Sequence, residues 1–181
     1  MSEQDFLAAI LENDYNRIIL ERLPKLQLLQ TYLTAGCLFQ TVWNLSAGRP
    51  AGENINDYDV FYFDDDLSYQ AEDDAIRQAD ELFADLDVRI EVRNQARVHL
   101  WFKEKFGTSC PQLSSSQHAM SRFLILGTCV GVTPQREVYA PHGFEDLTQG
   151  TLRPNPVNLT PELYERKVKS YQRRWSWLKS V

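Results

Sequence analysis

The sequence predicts an α/β or α+β fold, a small mixed sheet flanked by helices at both ends of the chain. Three observations carry that expectation. Asp57 to Phe63 and Asp87 to Arg93 alternate their side chains with the period of a strand. The residues before 34 and after 157 have helical periodicity instead. At 181 residues and 43% apolar, the chain is long enough to bury one real core. A single domain over 1–181 is expected, with N-terminal helices in 1–33, a core in 34–156 and a basic helix in 157–181.

In chain order, Ser2 with Asp5 three residues on reads as a capping box before Phe6, Leu7 and Ile10. One or two helices then run to Pro24, and Lys25 to Tyr32 suggests a further short one. Thr34-Ala35-Gly36 is a break. Cys37 to Leu45 reads as a helix with Phe39, Val42 and Trp43 on its apolar side and Gly48 as its stop. A loop over 49–54 leads into the strand that starts at Asp57. Asp66 or Ser68 caps a helix running to about Ala84, where the aspartates at 64–66 complement the helix dipole. The strand 87–93 follows, then a helix over 95–105 capped by Asn94 and burying Val98, Trp101 and Phe102. A helix over 117–126, a short strand over 137–140 and an extended connector over 152–156 come next. Thr160-Pro161-Glu162 opens the last helix.

The three cysteines and three histidines are scattered, which excludes a disulfide framework, a zinc site or a histidine cluster and fits reduced thiols in the cytoplasm. No run reaches the length of a membrane span, and the N-terminus lacks the order of a signal peptide. The net charge of −6 hides a polarity: residues 1–91 hold 19 acids and 6 bases, residues 92–181 hold 6 acids and 13 bases. Either an acidic metal site faces a basic half that meets polyanions, or two solvated surfaces attract one another. The overall acidity argues against duplex DNA as a partner.

Asp57 and Asp59 are the residues with the most chemical content. On a strand they project from one side, while Tyr58, Val60 and Tyr62 turn to the core. Two like charges this close repel unless a cation lies between them, although a solvated strand entrance is the alternative. Glu91, on the next strand, can reach the same face. Three hard oxygen ligands are what Mg²⁺ or Mn²⁺ takes in phosphoryl-transfer sites.

A glycine turn and helix, a strand bearing Asp-x-Asp and a second strand bearing one acid together resemble the DNA polymerase β-type nucleotidyltransferase superfamily. Residues 35–44, 57–66, 94–99, 139–141, 143–147 and 153–156 resemble, more closely, a bacterial family of nucleotidyltransferase-like proteins. The resemblance implies a nucleotidyltransferase-type sheet and metal-dependent transfer of a nucleoside monophosphate from an NTP to an unidentified acceptor. It implies Asp57, Asp59 and Glu91 as metal ligands and catalytic carboxylates, with Gly36 and Cys37 at the phosphate-binding turn. Cys37 departs from the superfamily pattern, because a thiol donates poorly to phosphate. A catalytically silent NTP- or ligand-binding protein, or a regulatory RNA- or protein-interaction module, is the alternative.

Arg93 shares a strand face with Glu91 and either contacts phosphate or neutralises the acids. Asn44, Arg49, Arg97 and His99 are further substrate-facing candidates; a partly buried structural role is the bland reading of His99. Arg122 is either solvated or substrate-facing. The final helix interleaves Arg166, Lys167, Lys169, Arg173, Arg174 and Lys179 with Tyr171, Trp175 and Trp177. Such a helix either docks its aromatics on the core or binds RNA, the first being the commoner outcome.

Overall fold

The computed structural model describes residues 1–107 and 109–181. It opens with two helices, α1 (Glu3–Leu11) and α2 (Asp14–Arg22). The capping box forms: Asp5 N–H donates to Ser2 Oγ at 3.1 Å, and Ser2 N–H donates to Asp5 Oδ2 at 2.8 Å. Asn13 caps the second helix through the Tyr15 N–H. Phe6, Ile10, Ile19 and Leu20, spaced for one helical face, are fully buried.

The helix expected over 25–32 does not form. A single 3₁₀ turn, Leu23–Leu26, carries Pro24, after which Gln27 and Gln30 adopt left-handed φ of 53° and 46°. These reversals end any helix, and Tyr32–Thr34 becomes strand β1. Three residues are too few for alternation to register in a sequence; neighbours on both sides hold them in place.

The remaining strands of the sheet are β2 (Asp57–Tyr62), β3 (Arg89–Asn94), β4 (Gly131–Val132) and β5 (Val138–Tyr139), in the order β3-β2-β1-β4-β5. β1 is antiparallel to both β2 and β4, and β2 is parallel to β3. The parallel pair needs a crossover, which α4 (Tyr69–Leu82) supplies, capped by Ser68 as expected. One register row runs Glu91, Asp59, Thr34, Gly131, Tyr139 across all five strands. Leu33, Tyr58, Val60, Tyr62, Val92 and Val132 alternate to the other face and are buried in the core.

α3 (Gly36–Ser46) passes through that core, burying Cys37, Leu38, Phe39, Val42 and Trp43. The last helix, α8 (Pro161–Arg174), packs on it through aromatics. Tyr171 stands 5.6 Å from Phe39 and 5.2 Å from Trp43, and Trp175 stands 5.3 Å from Trp43 (ring centroids). Thr160 makes no capping bond, so the docked aromatics rather than the cap define this helix.

After Asn94, a 3₁₀ turn precedes α5 (Val98–Phe106), where Val98 is buried and Trp101 and Phe102 are half-buried. The helix expected over 117–126 shortens to α6 (Ser116–Met120). Asn155 and Asn158 take the carbonyls of Ser121, Phe123 and Arg122 at 2.6–2.8 Å, removing acceptors that a longer helix would need. A short α7 (Glu145–Gln149) and a two-stranded parallel pair, β6 (Thr151–Leu152) with β7 (Lys179–Ser180), complete the chain. Among the described residues, no helix is long and apolar enough to cross a membrane.

Asn44 joins α3, the loop before β2 and the end of α8. Its amide donates to the carbonyls of Ala51 and Glu53, and its oxygen accepts from Trp175 Nε1 at 3.0 Å. Asn44→Ala leaves the buried Trp175 indole N–H and two part-buried carbonyls unpaired and is expected to cost about 1–3 kcal/mol in urea unfolding.

Candidate active site

The site lies where β2 and β3 run side by side and α3 begins. Parallel pairing sets Asp59 directly beside Glu91 and Asp57 beside Arg89, so all four side chains leave the same face of the sheet. Arg89 bridges the acids: its guanidinium lies 2.7 Å from Glu91 and 3.8 Å from Asp57. The arginine that neutralises the cluster is thus Arg89, and not Arg93 as the sequence suggested. Arg93 stands one register row further on, beside Phe61, and its guanidinium bonds the Val92 carbonyl at 3.3 Å.

Burial, then Glu91, then Asp57 push the Asp59 carboxyl up to about 7, while Lys167 and Arg89 act in the opposite direction. Lys167 comes from α8, four residues before the buried Tyr171 and next to the buried Val168.

The turn into α3 is strained. Ala35 has φ 59° and ψ −138°, a conformation that costs a residue with a Cβ about 1–3 kcal/mol. No side chain caps the helix. A Cβ on Gly36 would stand only 2.6 Å from Gln40 Nε2, so bare backbone at this position lets the Gln40 amide close over the helix start. Gln40 Oε1 is buried and has no hydrogen-bond partner among the described residues. The Cys37 thiol turns inward and donates to the Thr34 carbonyl at 3.1 Å, and burial raises its pKa well above the ordinary range.

Two of the residues proposed from sequence as nucleotide contacts have structural partners instead. Asn44 is buried in the bonds already described. Arg97 is buried and paired with Glu72, and it also donates to the Leu67 carbonyl. Glu72 in turn accepts from the Asn94 N–H, so this network ties α4 to the end of β3. Arg49 lies 3.7 Å from Glu53 in an ion pair. His99 Nδ1 is buried without a partner among the described residues.

Asp57, Asp59 and Glu91 have the donor chemistry of a hard divalent cation site. Among the described residues, however, no three Asp, Glu, His or Cys side chains are gathered closely enough to hold a metal ion as they stand. Arg89 occupies two of the three acids, and a cation binding there has to displace it.

The raised pKa of Asp59 fixes a pH dependence. A carboxyl that titrates higher in the folded chain than in the unfolded one leaves stability intact near pH 4 and removes it as the pH rises towards 7. In metal-free buffer Asp59→Asn is therefore expected to stabilise the protein at pH 8, by about 1–3 kcal/mol. The gain should shrink towards zero near pH 4, as read by urea unfolding at several pH values.

A family model described as nucleotidyltransferase matches residues 21–180. A structure solved by NMR and described as revealing a CCA-adding enzyme head domain superposes with a TM-score of 0.78 at 28% sequence identity. The match covers 98% of this chain and 95% of that one. No curated protein matches the chain in sequence. With 160 consecutive residues matched and the mixed sheet of such a head domain, the chain belongs to a nucleotidyltransferase family.

Proposed function

We propose that this protein transfers a nucleoside monophosphate from an NTP to an acceptor hydroxyl, with Mg²⁺ or Mn²⁺ held by Asp57, Asp59 and Glu91. The observation that carries the reading is the register of Asp59 beside Glu91, with Asp57 on the same open face next to the uncapped start of α3. Family membership supplies the reaction class.

In this reaction the acceptor oxygen bonds to the α-phosphorus and the bond from that phosphorus to the bridging oxygen breaks. Pyrophosphate leaves with the electron pair. A bound divalent cation would neutralise phosphate charge and lower the barrier to attack. Glu91, beside Asp59 on the edge strand β3, is suited to take the acceptor proton. The backbone N–H groups at Gly36 and Cys37 are suited to phosphate oxygens, as the first turn of a helix has donors without partners. Release of Arg89 from Glu91 and Asp57 frees the acids for the cation.

A second reading, a silent nucleotide-binding protein, draws on the inward Cys37 thiol and the acids held by Arg89. Thermal denaturation with each NTP and Mg²⁺ or Mn²⁺ tests both. Stabilisation of about 2–3 kcal/mol at a hundredfold excess over Kd is expected, and it should be lost in Asp59→Asn. Pyrophosphate release with a panel of acceptors then separates the enzyme from the silent binder. An unchanged Tm with every metal–NTP pair would count against both.

A further inference from the structure

We propose that two copies of this chain pair antiparallel through β3, about a two-fold axis at Ile90, joining their five-stranded sheets into one. The pairing does not depend on the nucleotidyl-transfer reading.

β3 is an outer strand of the sheet, with β2 as its one neighbour there. Shortness, proline, bulges and lysines are what usually blunt such an edge. β5, at the other edge, is two residues long, with Pro141 two positions on. β3 instead has six residues in unbroken register with β2 and contains neither proline nor lysine. A groove of about 370 Å³ separates it from α4, lined by Val88, Ile90 and Val92 on one side and by Ile76, Ala79 and Phe83 on the other. Val88 and Ile90 are only half-buried, whereas Tyr58 and Val60 of the neighbouring β2 are fully buried.

The backbone is free where the axis would pass. The Asn94 N–H turns away from β2 to the Glu72 carboxylate at 3.0 Å. Strand backbone groups alternate sides, so the N–H and C=O of Ile90 point outward as well. Among the described residues, no backbone group beyond the sheet bonds residues 89–91. With Ile90 opposite Ile90 of the partner subunit, the two residues exchange both hydrogen bonds.

The side chains select this register. Arg89 faces Glu91 of the partner subunit, and Glu91 faces the partner's Arg89, in the positions where cross-strand side chains come closest. An axis at Glu91 would set Glu91 against itself and Arg89 against Arg93. An axis at Val92 would need the Asn94 N–H, which Glu72 holds. A strand that complements itself is what a two-fold interface requires, so a second copy fits this edge better than an unrelated strand. The partner also contributes to the acidic site, since Glu91, already 2.7 Å from its own Arg89, gains a second guanidinium.

Sedimentation velocity of the full chain in metal-free buffer, from micromolar to near-millimolar concentration, is expected to show monomer passing to dimer. Arg89→Glu and Glu91→Arg each turn both symmetry-related pairs from attraction to repulsion and should weaken the dimer about tenfold or more. The double variant R89E/E91R restores opposite charges across the axis and should recover most of the affinity. In the wild type, hydrogen exchange at the Ile90 amide should slow as concentration rises, while the Arg89 and Glu91 amides, which by alternation face β2, stay unchanged. A chain that is monomeric throughout overturns the proposal. So does a dimer that ignores both single reversals and leaves Ile90 exchange unaltered, or one lost in the single variants and not recovered in the double.

Discussion

The parallel pairing of β2 with β3 brings the Asp59 and Glu91 carboxylates into neighbouring positions on a half-buried face. Cross-strand neighbours have Cβ atoms about 5 Å apart, and like charges directly opposite one another are destabilising. Much of the surrounding structure relieves that conflict. Arg89, carried on the same face, reaches both Glu91 and Asp57. α3 begins two residues after Thr34, the register partner of Asp59, and Lys167 on α8 acts on the same carboxyl. Burial first, and then repulsion from Glu91 and Asp57, still leaves the Asp59 carboxyl raised.

Holding these groups in place requires a rigid support, and α3 provides it. Its first turn forms the site, and its last turns lock into aromatic and amide contacts with α8 and the loop before β2. Trp43 donates to the Leu147 carbonyl at 3.1 Å, tying α7 to the same helix. The strain at Ala35 is therefore borne by an element buried on most sides. The stability cost sits beside the acids, one residue after Thr34, the register partner of Asp59.

The basic residues of the C-terminal half divide by partner. Arg97 and Arg153 are held by Glu72 and Asp146 and serve the fold. Arg174 stacks on Trp175, 4.2 Å from the ring centroid, and bonds the Asn54 carbonyl. Lys167 lies within electrostatic reach of Asp59. The charge polarity visible along the chain thus resolves into structural pairs, solvated charges and one group at the site.

The sequence by itself determined the elements whose signals are local: the Ser2–Asp5 and Ser68 caps, the helix after Gly36, and the two strands that carry Asp57, Asp59 and Glu91. Alternation alone placed the acids on one side and Tyr58, Val60 and Tyr62 on the other. Only the tertiary structure decided the central strand at 32–34, the short helix at 116–120, and which charges pair. β1 exists because two neighbours supply its hydrogen bonds, and α6 stops because distant asparagines take its carbonyls. Asn44 and Arg97 looked like ligand contacts, since a polar residue near a motif reads the same whether its partner is a substrate or a buried carbonyl. Arg89 meets Glu91 by alternation along one strand, but it reaches Asp57 through a strand register, and Lys167 comes within electrostatic reach of Asp59 through a helix–helix contact, both joining residues far apart in the chain. Such partners are set by packing, which leaves no period or spacing for a sequence to display.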